Sequence, residues 1–430
     1  MNDCFALIRL IIALATCCSW SQNADAQLIH FPPQTNCVYD LTGLTQTFTD
    51  TLAQAGIANG SLLILKNGQK LHEQYAGTYS ATTVRPIASG TKWLGAVLIM
   101  SLVDDGLMNL DDPVSKYLAQ YYTGLKGAMT IRQMFSHTSG LPGGLDYLVL
   151  NDDTITLQQA AQIISTNELI APPGTEFCYG GLSMQVAGAC AEIASGMSWS
   201  NLFQLRLKQP LGLTVTTYGN TRNPRIAGGV STTIYEYAAV LQMLLNNGVW
   251  GTNRVLSANA LREMQKDQTG GAPILCSPFT QFGEGDKRYG IGEWRDIVAT
   301  DGAAIQLSSI GVFGFSPWID VRRQAAGVFM VFDNYTNVFS GVENIEAAAR
   351  NAIDSTPCTS PPRLEIEPAG VGTNVVTING ARGHSYRLEI STNLASWPNS
   401  MNLSGTNGVC QVPIPSGNGP QQFFRAKTLP

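Results

Sequence analysis

The 430-residue chain has a formal net charge of -5 and only 13% charged residues, well under the roughly 25% of ordinary soluble domains. Phosphate recognition needs clustered Lys and Arg. No basic tract occurs, so nucleic acid is excluded as a partner, while 44% hydrophobic residues in a chain of this length build a sizeable core and more than one domain.

The first 26 residues read as an export signal. Arg9 precedes the apolar run LIIALATCC, and Ala24-Asp25-Ala26 fits a small-x-small cleavage site. The run is too short to span a bilayer, and no later segment is long and apolar enough to do so. Lipid attachment at Cys17 fits less well, because Thr16 stands where a small Gly, Ala or Ser is expected. The mature chain is thus expected to be periplasmic, extracellular or held at the cell surface, with no integral membrane segment. Cleavage leaves Cys37, Cys178, Cys190, Cys276, Cys358 and Cys410. An even count in an exported chain permits disulfides, but spacing does not reveal the pairing. Cys190 lies in an apolar helical stretch and reads as a buried free thiol.

Two apolar runs joined by Lys66-Asn67-Gly68-Gln69 (61–77) read as a β-hairpin, since Asn-Gly tolerates positive φ. Next comes ASGTKWLGAVLIM, in which Ser89 and Lys92 stand three apart ahead of an apolar helix. Residues at that spacing share a helix face. A serine at the first turn with an amine beside it can be a nucleophile and its base. It can equally be a capping serine and a snorkelling lysine. Helical patterns cover about 91–105, 130–136, 157–168, 182–195, 233–247, 257–266 and 342–353. Strand-like runs return at 289–294, 312–320 and 325–333. Strands at both ends of a helical middle predict an α/β (α+β) fold, a mixed sheet with an inserted helical lobe.

Past the Pro- and Ser-rich stretch at 354–363 the pattern changes to short alternating strands, RLEIEP, TNVVTING, YRLEIST and QQFFRAKT. These predict a small all-β sandwich at 358–430 behind a domain at 27–357. His384 reads as a turn residue there.

Candidate chemistry is sparse. Of the four histidines, only His137 in FSHTSGLP sits in a motif-like setting, and a structural role at a helix-to-loop junction is favoured over catalysis. No Gly-x-Ser-x-Gly elbow is present. No set of His, Cys and carboxylate residues has metal-ligand spacing, so neither a metal nor an organic cofactor is expected. Ser-Lys chemistry needs a proton relay, and Tyr179 in PPGTEFCYGG is the candidate, with a packing tyrosine as the alternative. Tyr335-Thr336-Asn337 reads as a loop.

IASGTKWLGAVL, MFSHTSGLP, PPGTEFCYGG, AGGVSTTIYEYAAVLQMLLNNG, YGIGEW and GVFGFSPWID follow one another in the order and spacing of the serine β-lactamase-like family. This resemblance spans about 40–355. The family includes class C β-lactamases, D-alanyl-D-alanine carboxypeptidases and esterases. It implies a mixed antiparallel sheet flanked by helices, a helical lobe and a site in the groove between them. It further implies that Ser89 is the acylated nucleophile, Lys92 its base and Tyr179 the proton shuttle, with an oxyanion hole from the backbone N–H groups of Ser89 and Val312. Two positions depart from the family pattern. Gly181 stands where Tyr-x-Asn has its asparagine, and Ser309-Ile310-Gly311 replaces a third motif that normally begins with a basic residue. Gly311 still lets a strand lie close to substrate. The missing cation at Ser309 affects substrates bearing a carboxylate.

The expected activity is hydrolysis of an ester or amide of a small-molecule or peptide substrate, with β-lactamase or carboxypeptidase action second. The rival is a silent relative that binds cell-wall or surface ligands. The resemblance makes a Cys37–Cys358 bridge plausible, because the ends of the family domain lie close together. Cys178, beside Tyr179, can pair with Cys276. The tail, with Tyr386, Trp397, Phe424 and Arg425, resembles a C-terminal module of exported bacterial proteins, where those residues are core or edge positions and surface attachment is a conjecture.

Overall fold

A computed structural model of the chain describes residues 29–34, 38–143, 147–355, 362–369, 372–380, 385–404, 409–415 and 422–429. Residues 1–26, read above as an export signal, and Cys37, Cys358 and His384 lie outside the described residues.

The hairpin forms as expected, with strand β1 (Gly60–Lys66) antiparallel to β2 (Gln69–Ala76). Asn67 and Gly68 take φ 52° and 74° in the turn. Five later strands join them: β3 (Arg288–Tyr289), β4 (Trp294–Val298), β5 (Ala304–Ser308), β6 (Phe315–Asp320) and β7 (Ala325–Met330). The seven-stranded sheet runs β2-β1-β7-β6-β5-β4-β3 and every pairing in it is antiparallel. Strand β1 therefore sits inside the sheet, paired to β7 with Ser61 opposite Met330. Strands β6 and β7 are buried along their whole length, as expected of strands covered on both faces.

Helix α1 (Thr42–Ala55) packs on α8 (Phe339–Ser355) against one face of the sheet. Helix α2 (Thr91–Asp104), which follows Ser89, is buried from Thr91 to Leu102. A helix apolar all round belongs inside, and this placement takes Lys92 into the interior with it. Further helices are the short α3 (Ile131–Phe135) and the longer α4 (Leu157–Ile164), α5 (Leu182–Ser195), α6 (Ile234–Leu245) and α7 (Ala258–Gln265). Thr130 and Thr156 close capping boxes with Gln133 and Gln159, which fix the starts of α3 and α4.

Three differences from the sequence expectations stand out. Helix α1 was not anticipated. Residues 289–294 are not one strand: 290–293 turn between β3 and β4, with Gly290 N–H bonded to the Glu293 carbonyl at 2.8 Å. Residues 312–314 form a tight turn ahead of β6 instead of extending it.

The tail forms two three-stranded sheets. Strands Arg363–Pro368, Thr373–Asn379 and Val409–Pro415 make one, and Ser385–Ser391, Asn399–Ser404 and Phe423–Thr428 the other. Val376, Ile378, Tyr386, Leu388, Cys410 and Ile414 are its buried cluster. Tyr386 is thus a core residue, and Trp397 lies against the Arg425 guanidinium at 4.1 Å.

Candidate active site

Ser89 lies in a 3-10 turn, Ala88–Gly90, that runs directly into α2. Ala88 has φ 44°, in the left-handed region, which costs a non-glycine residue about 1–3 kcal/mol. Its neighbours hold the turn in place. Tyr237 hydroxyl donates to the Gly90 carbonyl at 2.7 Å, and Ser309 hydroxyl donates to the Ser89 carbonyl at 3.1 Å.

Lys92 Nζ donates to Ser89 Oγ at 2.9 Å and to the Ala227 carbonyl at 3.0 Å. The side chain is 3% exposed. Burial, aided by the positive charge of Arg225, pulls its pKa from 10.5 to about 7. A substantial fraction of the amine is therefore neutral near pH 7 and able to accept a proton.

Tyr179 completes the cluster. Its ring lies 4.5 Å from Lys92 Nζ and stacks on Trp294 at 5.1 Å. The Ser89 and Trp294 side chains beside it act to lower its pKa, but burial outweighs them. Burial raises its pKa, so the phenol keeps its proton at neutral pH. The strand Phe177–Cys178 that carries it pairs with Ile274–Cys276, and a Cys178–Cys276 disulfide ties the two together. Tyr179 N–H donates to the Cys276 carbonyl at 3.0 Å. His137 braces the same strand. Its carbonyl accepts from Cys178 N–H at 2.8 Å, and Nδ1 accepts from Gly180 N–H at 3.4 Å. Burial, then the charge of Lys92, pushes its pKa well down. His137 is a neutral ring at a helix-to-loop junction.

The third-motif residues divide by position. Ser309 is buried, with its hydroxyl committed to the Ser89 carbonyl. Gly311 N–H donates to the Phe315 carbonyl at 2.8 Å. A Cβ on Gly311 would lie 2.1 Å from the Ile87 carbonyl oxygen, so only glycine lets this turn approach the nucleophile's segment. Val312 and Gly181 line the pocket. The Val312 carbonyl accepts from Tyr335 N–H at 2.8 Å. Among the described residues no backbone group accepts its N–H.

The pocket has a volume of about 390 Å³ and holds Ser89, Lys92 and Tyr179. Arg225, Ala227, Trp294, Phe279 and Phe282 are among the contributors that went unassigned in the sequence. Trp294 and Ala227 fall inside two of the recognised motifs. Tyr335 also lines the wall. The loop character of 335–337 stands, as a single 3-10 turn, with Asn337 bonded to Asp333 at 2.7 Å. Among the described residues no group of His, Cys, Asp and Glu is placed to hold a metal ion. Cys190 is buried and free, as read from the sequence.

A sheet flanked by helices, with a buried lysine and a buried tyrosine beside one serine, is the architecture of a serine hydrolase of the β-lactamase type. The chain belongs to the β-lactamase family, whose model matches residues 44–352. A β-lactamase-type structure from Bacteroides dorei DSM 17855 is 30% identical, with a TM-score of 0.68 over 74% of this chain and all of that one. The structure of a family VIII carboxylesterase shares the fold, at 17% identity and a TM-score of 0.59 over 74% of this chain and 99% of the other. The D-alanyl-D-alanine-carboxypeptidase/endopeptidase AmpH of Escherichia coli (strain K12) is 30% identical over 38% of this chain and 46% of its own length. The chain spans less than half the length of the curated relatives it matches.

Proposed function

We propose that the protein hydrolyses an ester or amide through an acyl-enzyme on Ser89. The observation that carries this is the buried Lys92 amine bonded to Ser89 Oγ. Neutral Lys92 takes the hydroxyl proton as Oγ attacks the carbonyl carbon. The Ser89 and Val312 N–H groups receive the oxyanion. Tyr179, protonated at neutral pH, passes a proton to the leaving alcohol or amine as its bond to the acyl carbon breaks. Lys92 then returns its proton to the Tyr179 phenolate, water attacks the acyl-enzyme and gives up a proton to the neutral Lys92, and that proton passes to Ser89 Oγ as the acid is released.

The carboxylesterase fold neighbour supports ester cleavage. The AmpH match supports peptide amides as the second reading, and the Bacteroides dorei β-lactamase-type structure supports β-lactams. Ser309 weighs against the second, because its hydroxyl is turned to the backbone and leaves no cation in the third motif for a substrate carboxylate. We read the chain as exported, and surface attachment through the tail extends that reading; the N-terminal residue of protein secreted from a bacterial host tests export.

Intact mass after exposure to a fluorophosphonate tests the acyl-enzyme. One adduct on the wild type and none on Ser89→Ala is the expected outcome. Absence of an adduct on both, with unchanged ligand binding, would establish the silent binding protein instead.

A further inference from the structure

We propose that the site takes uncharged esters bearing a bulky apolar group, an aryl or medium-chain alkyl group, seated on Phe282, Val312 and Phe313; this deepens the acyl-enzyme reading and rests on it.

The wall is apolar and fixed in place. Phe282 stacks on Phe339 with ring centres 3.8 Å apart and planes 8° apart. Phe279 stands edge-on to Trp294 at 4.7 Å. Both phenylalanines follow Cys276 on a segment that the disulfide ties to the Tyr179 strand. A wall held this way is formed before substrate arrives, so little ordering opposes binding.

The apolar surface continues outward from Ser89. Phe282 contacts Tyr335 at 6.5 Å between ring centres, and Tyr335 N–H is bonded to Val312. Phe313 packs against Phe332 at 5.5 Å. Val312, Phe313 and Phe332 are nonetheless 54%, 39% and 55% exposed. Contiguous exposed apolar side chains mark a binding surface more often than single ones do, and these run into the pocket that holds the nucleophile.

Among the described residues the third-motif segment brings only uncharged side chains, Ile310, Val312 and Phe313, to the pocket lining. Arg225 also lines the pocket, close enough for its charge to bear on Lys92, and its guanidinium bonds Asn151 at 3.2 Å.

The test uses the mature full-length chain and p-nitrophenyl acetate, butyrate, octanoate and hemisuccinate, with fluorophosphonate labelling of the same preparation. We expect kcat/KM to rise by about fourfold per methylene from acetate to butyrate. Hemisuccinate, which carries a carboxylate, should fall about tenfold or more below butyrate. Phe313→Ser, an exposed position that does not threaten folding, should lower the octanoate-to-acetate ratio by about tenfold. A flat series, or a preference for hemisuccinate, with Ser89 still labelled would overturn this inference and leave the acyl-enzyme standing. Neither labelling nor turnover would overturn both.

Discussion

Replacing Lys92 by methionine keeps the side-chain length and removes the amine. Two effects of opposite sign follow. In the folded protein the amine titrates at about 7, against an ordinary 10.5. At 1.36 kcal/mol per factor of ten, that gap is worth about 5 kcal/mol against folding. The sign follows from proton counting. Between about pH 7 and 10.5 the unfolded chain holds a proton on Lys92 that the folded chain has released, so wild-type stability rises with pH across that window. At pH 7 roughly 4 kcal/mol of the penalty is present. The bonds to Ser89 and Ala227 that the variant loses offset about 1 kcal/mol each. Lys92→Met is therefore expected to be about 2 kcal/mol more stable than wild type at pH 7, with the difference gone near pH 9. Acylation should fall by about 10²–10⁴, the range for loss of a general base. Urea titrations at pH 7 and 9 read the first effect, and burst kinetics with a chromogenic ester the second. A variant less stable than wild type at pH 7, with an unchanged pH slope, would refute the neutral buried amine.

Tyr179→Phe keeps the ring packed on Trp294, so its Tm should stay close to wild type while kcat drops by about 10²–10⁴. Cys276→Ser should lose about 2–4 kcal/mol, and a reductant should bring the wild type to the same melting temperature. Glu293 is fully buried, and burial pushes its pKa from 4.5 to about 8. Its contribution to stability is complete below pH 4.5 and lost as pH rises through about 8, an effect of about 4–5 kcal/mol. Glu293→Gln should flatten that decline and be more stable than wild type at pH 8.5, which thermal scans across pH would show.

Local features were legible in the sequence and long-range ones were not. The Asn67-Gly68 turn, the start of α2 and the Ser89–Lys92 spacing each depend on a few adjacent residues. Helix α5 was recognised between Gly181 and Gly196 for the same reason. Helix α1 escaped because TGLTQTFTDT is rich in β-branched threonine, a weak helix former; its apolar stripe of Leu44, Phe48 and Leu52 is bought by packing on α8 and the sheet. Strand β5 is five residues long and drew no attention by itself; it exists because β4 and β6 flank it. Tyr179 was a candidate from its place between a Pro-Gly loop and a helix, and the family motif raised it above a packing tyrosine. Nothing near Arg225 in sequence announces that its charge bears on Lys92. Phe279 and Phe282 reach the pocket through a bridge between cysteines that are 98 residues apart, and spacing alone could not assign that bridge.

The interior place of β1 has a consequence for synthesis. Its free edge pairs with β7, so the first hairpin made cannot be enclosed until the ribosome has reached Met330. At elongation rates of about 5–20 residues per second that leaves an unpaired strand edge open for on the order of 10–50 s. Such an edge invites pairing with other nascent chains. During that interval the yield of native protein depends on whatever shields the early hairpin, so slowing translation after residue 76 should lower the soluble yield without changing the finished molecule's stability.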